Sequence, residues 1–161
     1  MSDRSRAYEW VDPAIFVEAA AGRTGLELMR AIVAGELPQA PISATLGFRL
    51  VEADDGRAVF ESEPGEHLYN PIGTVHAGFS TTLLDSAMGC ALATTLPAGT
   101  PWTTLELKAN FTRALTVASG TVRCTGTVVH GGRRVATTQA QLHDGAGRLC
   151  AHALSTILID R

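Results

Sequence analysis

Between His67 and Leu105 the sequence has no Lys, Arg or Glu, and Asp85 is the only formally charged side chain there, histidines aside. Basic residues are few overall: 13 Lys and Arg against 16 Asp and Glu give a net charge of −3 and a pI near 5.9. That balance excludes the basic footprint that nucleic acid or an anionic membrane surface demands, so an anionic ligand must be held by a local cluster of Arg. Cysteine is also scarce. Cys90, Cys124 and Cys150 are widely spaced, odd in number and set in apolar runs. They predict free thiols in a reducing compartment, not a disulfide framework or a CxxC metal pair. The five histidines, His67, His76, His130, His143 and His152, show no H-x₃-H or HExxH spacing, so no metal site is expected. Ser80 and Ser86 lack a G-x-S-x-G setting, and glycine-rich phosphate loops are missing. The opening MSDRSRAYEWVDP has no apolar core of a secretory signal. The most apolar helical stretch, 77–96, contains Asp85, two Gly and six Ser or Thr without a basic flank, which argues against a membrane span. A cytoplasmic protein is expected.

What is present is enough apolar sequence for one core. The chain has 161 residues, 45% of them hydrophobic and 18% charged, as in a globular domain. Residues 1–12 read as a tail. Asp12-Pro13 is a helix-start signal for AIFVEAA, with Gly22 as its stop. Thr24 and Glu27 form a capping box for a second helix that runs to Gly35 and is barred by Pro38. A DNA-reading helix pair would need basic residues, and 13–37 hold only Arg23 and Arg30 against Glu18, Glu27 and Glu36. From residue 44 the pattern turns to strands: 48–53 and 57–63 around the turn Asp54-Asp55-Gly56, then 102–113, 120–130, 134–143 and 148–159. In the first of the later four, Leu105, Leu107, Ala109 and Phe111 alternate with Glu106, Lys108, Asn110 and Thr112, and the four read as a β-meander. The fold class is therefore α+β, with five or six antiparallel strands around one long helix. Residues 1–43 form a tail and helical extension, and 44–161 form the main domain.

That helix has small or apolar residues nearly all round, so it is expected to be buried on most sides. An unpaired carboxylate in such a place costs several kcal/mol, so Asp85 needs either partners or a cavity. Asn70, Gly73, His76 and Gly78 crowd the helix entry, where unpaired N–H groups and the dipole favour a developing oxyanion. Asp85 follows His76 by nine residues, roughly 13 Å along the axis. It is too far to act at its own helix start. If carboxylate and oxyanion hole share a site, the hole comes from a second copy, which implies a homodimer. Simpler readings are also open: Asp85 bonded to Thr81 or Thr82, Asn70 as a turn residue, His76 as a helix cap.

N-x-x-G-x-x-H-[GA]-G with an acid nine residues after the His resembles the hotdog-fold acyl-CoA thioesterases, in particular the phenylacetate-pathway (PaaI-like) branch. The resemblance spans about residues 44–159, including TTLELKANFTRAL and GTVVHGGRRVATTQAQLHDGAGRLCAHALSTILI. It implies the hotdog fold and hydrolysis of an acyl- or aryl-CoA thioester, with coenzyme A as part of the substrate and no cofactor. It further implies Asp85 as nucleophile or general base, Asn70 positioning water or thioester, and His76 orienting the loop and helix start. The Ala77 N–H, next to Gly78, would polarise the carbonyl. Thr104 falls where the family often has a hydroxyl near the acid, and Arg133, Arg134 and Arg113 would meet the CoA phosphates. A paired-helix homodimer, often a dimer of dimers, is implied too. The chain departs from the family at His76-Ala77-Gly78, where His-Gly-Gly is usual. It departs also at Gly89, where a related aryl-CoA branch has a hydroxyl residue, so the implied hydroxyl is that of Thr104. A non-catalytic acyl-CoA-binding or sensor protein and a hotdog hydratase or dehydratase are the alternatives.

Overall fold

The computed structural model describes residues 4–160. Helix α1 (Ala14–Ala20) opens where the Asp12 carboxylate accepts from the Ala14 N–H at 2.9 Å. Helix α2 (Gly25–Val33) carries the expected capping box. The Glu27 N–H donates to Thr24 Oγ1 at 3.3 Å and the Thr24 N–H to Glu27 Oε2 at 2.9 Å. A third helix, α3 (Pro41–Leu46), was not foreseen, although Pro41 at its first position and Gly47 closing it at φ +76° were usable signals. The division between residues 43 and 44 falls inside it, and Leu28, Met29 and Ile32 of α2 share one core with the sheet.

Six antiparallel strands follow: β1 (Phe48–Asp54), β2 (Arg57–Ser62), β3 (Trp102–Phe111), β4 (Val122–Gly131), β5 (Val135–His143) and β6 (Leu149–Ile159). Between β2 and β3 runs the long helix α4 (Ala77–Ala93). The sheet order is β1-β2-β4-β5-β6-β3, so the meander reading needs correction. Only β4-β5-β6 is a meander, while β3 crosses to the far edge and pairs with β6 from Trp102↔Ile159 to Phe111↔Ala151. The reason is the helix: after α4 the chain returns along the side of α4 away from β2, so β3 meets the sheet only at its other edge. The alternation in β3 is also broken. A bulge between Thr104 and Glu106 leaves Leu105 without a partner and 56% exposed. With six strands around a central helix and helices at the N-terminal side, the fold is an α+β hotdog.

Leu83, Leu84, Met88 and Leu92 of α4 are fully buried against the sheet. Strand β4 crosses the helix so closely that a Cβ at Gly126 would lie 2.1 Å from the Ala87 carbonyl oxygen. One stripe of α4 stays open: Ala77 and Gly78 are exposed, and Thr81, Thr82, Asp85 and Ser86 half-buried. Gly89 continues the stripe under the Trp102 ring, where a Cβ would meet Cζ3 at 2.6 Å. The stripe therefore runs beside β3, whose outer edge has no strand next to it among the described residues.

Candidate active site

The loop before α4 is tied down from several sides. The Asn70 N–H donates to the Thr74 carbonyl at 2.8 Å, the Val75 N–H to the Leu115 carbonyl at 2.8 Å and the His76 N–H to the Leu68 carbonyl at 2.8 Å. The Asn70 side chain closes the loop on itself. Its Oδ1 accepts from the N–H groups of Ile72 (3.0 Å) and Thr74 (3.2 Å), and its Nδ2 donates to Thr74 Oγ1 at 2.9 Å. Both Oδ1 lone pairs are thus used locally, and one amide proton remains for anything outside the loop. Thr74, four residues on, completes this clasp, and the sequence reading had not singled it out.

His76 is the N-cap of α4, with its Nδ1 accepting from the Gly78 N–H at 2.8 Å. An accepting Nδ1 puts the ring proton of the neutral imidazole on Nε2. The Gly78 N–H is therefore spent on the cap, and the Ala77 N–H has no partner among the described residues. Ala77 is exposed, and no non-Gly residue here has a positive φ, so alanine holds this position without backbone strain. The terminus offers one free donor at the positive end of the helix dipole.

Asp85 accepts from Thr104 Oγ1 at 2.9 Å through Oδ1, and Oδ2 has no hydrogen-bond partner among the described residues. Thr81 and Thr82, the partners considered from sequence, instead donate back to the Ala77 and Gly78 carbonyls at 3.0 and 2.9 Å. The carboxylate is thus held by one hydroxyl on β3 and half-open to the stripe. Below it, burial and then the Asp85 charge push the Cys90 thiol up to about 12, so this sulfur stays protonated and is no nucleophile. Burial likewise raises Cys124 and Cys150, and all three thiols are free.

Asp85 and Thr104 are brought together, whereas Asn70, His76 and Ala77 sit at the far end of the same helix. Strand β3 runs back along α4, with Trp102 near the helix end and Phe111 near its start. Its ends are nine residues, roughly 30 Å, apart. Arg133 and Arg134 are exposed in the β4–β5 hairpin at the Trp102 end, where the Ile159 N–H donates to the Arg134 carbonyl at 2.8 Å. Arg113 is exposed beyond the Phe111 end. One chain does not gather the three arginines. Trp102, over Gly89, is a further residue of the site that no local pattern announced. No group of three or more metal-ligating side chains occurs among the described residues, nor does any helix there have the length and apolarity to cross a membrane.

Residues 72–151 match the thioesterase superfamily. A conserved protein of Pseudomonas aeruginosa is 32% identical, with a TM-score of 0.70 over 75% of this chain and 94% of its own. The phenylacetic acid degradation protein PaaI of Thermus thermophilus, solved as a mutant, is 28% identical, with a TM-score of 0.67 over 74% and 98%. A 1,4-dihydroxy-2-naphthoyl-CoA hydrolase of Listeria monocytogenes is 24% identical over 120 residues, 74% of this chain and 96% of that protein. This chain belongs to the thioesterase superfamily and is a thioester hydrolase of the hotdog fold.

Proposed function

We propose that this protein hydrolyses an acyl- or aryl-CoA thioester to free acid and coenzyme A, with Asp85 as the nucleophile or general base. The observation that carries this is the Asp85–Thr104 pair, 2.9 Å apart. The hydroxyl fixes the carboxylate by one oxygen and leaves the other turned to an open stripe of small residues. As nucleophile, that oxygen attacks the carbonyl carbon and the C–S bond breaks as the thiolate leaves; water then cleaves the mixed anhydride, returning the Asp85 carboxylate and the free acid and releasing the proton that the thiolate takes up. As base, it takes a proton from water, the hydroxide adds to the carbonyl, and the departing sulfur receives that proton. In either route the carbonyl oxygen gains negative charge, which the Ala77 N–H would stabilise.

The site is read as shared by two chains. Asp85 is level with Thr104 and its own Ala77 lies eight residues, roughly 12 Å, further toward the Phe111 end. If a two-fold axis crosses the middle of the unpaired β3 edge, Asp85 lies roughly 8 Å to one side and its own Ala77 roughly 4 Å to the other. The two-fold then carries the partner's Ala77 to within roughly 4 Å of Asp85 along the axis, on the same side. The same operation sets Arg113 at the end of the sheet where the partner's Arg133 and Arg134 lie, a cation cluster suited to CoA phosphates. A dimer of dimers and a cytoplasmic location, which suits three free thiols, complete the reading.

The test is thiol release from a panel of short, medium, long-chain and aryl-CoA thioesters by wild type and Asp85→Asn. Wild type is expected to turn over at least one of them, and the substitution to lower kcat by about a hundredfold or more. Turnover unaffected by the substitution removes Asp85 from its role. No turnover on any substrate favours the acyl-CoA-binding alternative.

A further inference from the structure

Beyond Asp85 the row of α4 becomes buried and reaches the wall of a cleft at Ala93. Asp85, Gly89 and Ala93 stand four residues apart, on one row of the helix. Gly89 is covered by the Trp102 ring, and Ala93 lines a cleft of about 550 Å³ whose other walls include Phe16, Val17, Leu28, Met29 and Leu96. Trp102 borders both the cleft and Gly89, so its ring stands between the carboxylate and the cleft. Ala93 itself is eight residues, roughly 12 Å, from Asp85.

We propose that this cleft, between the N-terminal helices and the end of α4, binds the tail of an uncharged acyl chain of medium length whose thioester carbonyl lies at Asp85. The proposal rests on the hydrolase reading above and names its substrate class. The walls are apolar, and burying methylenes against them is what would hold the tail. Arg23 is the only charged lining residue and the rest of the wall is almost wholly apolar, which suits an uncharged tail. Short acyl groups stop at the Trp102 ring and gain nothing from the cleft. Longer ones pass along the ring and bury their ends between α1 and α2. Both of these helices lie outside residues 72–151, the part matched by the superfamily, whereas Ala93, Leu96 and Trp102 on the opposite wall lie inside it.

Filling the cleft tests this. Hydrolysis of acetyl-, hexanoyl-, decanoyl- and palmitoyl-CoA is compared for wild type, Ala20→Trp and Val17→Trp, with circular dichroism to verify folding. Val17 is 69% exposed, so its variant needs no core rearrangement. Wild type is expected to prefer medium chains. Filling should lower the decanoyl-to-acetyl ratio of kcat/KM by about tenfold, the loss expected when a couple of buried methylenes return to water. An unchanged ratio in folded variants overturns the cleft and leaves the hydrolase reading standing. If wild type hydrolyses only aryl-CoA thioesters, the acyl-tail assignment is overturned while the hydrolase reading stands; if it hydrolyses neither kind, the hydrolase reading has failed, and calorimetric binding of a non-hydrolysable decanoyl-CoA thioether decides the cleft alone. Affinity weakened about tenfold by filling supports it; equal affinity overturns it.

Discussion

At Ala77 a single N–H group carries the argument for an oxyanion site. Its neighbour's N–H is occupied by the His76 ring, and the helix supplies no carbonyl for it. The methyl of alanine leaves that donor in place. Proline would remove it with little other change. The first helical position favours proline, and His76 is already extended at ψ 137°, the conformation a residue before proline prefers. Ala77→Pro is therefore expected to keep its circular dichroism and thermal midpoint while kcat falls about a hundredfold, the loss typical of one oxyanion donor. Wild-type kcat in the variant would take the N–H out of the mechanism. At the same scale, Asp85 was recognisable from sequence because a lone charge in an apolar helix needs a reason. Its partner was found by resemblance to the family, since nothing in local spacing ties residue 85 to residue 104.

The elements hold the site through close contacts on both sides of α4. On the sheet side, Gly126 lets β4 touch the helix backbone, and an added Cβ would meet the Ala87 carbonyl oxygen at 2.1 Å, its carbon at 2.3 Å and the Met88 nitrogen at 2.8 Å. Backbone cannot swing aside as a side chain can. Gly126→Ala is expected to cost about 3 kcal/mol, read as a lower urea midpoint with an unchanged m-value. Stability equal to wild type would mean that β4 and α4 separate more easily than this packing implies. On the other side, Gly89 gives the Trp102 ring its seat and so sets the boundary between carboxylate and cleft. Helix and strand limits were largely readable from capping residues and turns: Thr24 with Glu27, Asp54-Asp55-Gly56, and the hairpin at Gly131-Gly132. The bulge at Leu105 was not, because the residue pattern there continues a regular alternation and only the pairing with β6 reveals the extra residue.

For the whole molecule, the expected outcome is complementation between inactive chains. If each site joins Asp85 of one chain to the Ala77 N–H of the other, Asp85→Asn and Ala77→Pro each disable both sites of a homodimer. In a mixed dimer one site loses both groups and the other keeps both. Random mixing after co-refolding should restore about a quarter of wild-type activity, since half of the dimers are mixed and each has one working site. A site built within one chain would restore none, so activity at the level of the separate variants would reject the shared arrangement. The unpaired β3 edge and the open stripe beside it are the surfaces such a dimer would cover.

By itself the sequence determined the fold class, the ends of most elements, the isolation of Asp85 and the N-terminal position of the His76 motif. These depend on local propensity, periodicity and charge along the chain. Only the tertiary structure decided that β3 lies beyond β6, that Asp85 is held by Thr104 and not by Thr81 or Thr82, and that Asn70 is absorbed in its own loop. It also decided that the arginines stand at opposite ends of the sheet and that a cleft opens past Trp102. Each of these depends on where distant segments meet around α4, and no short-range pattern encodes that.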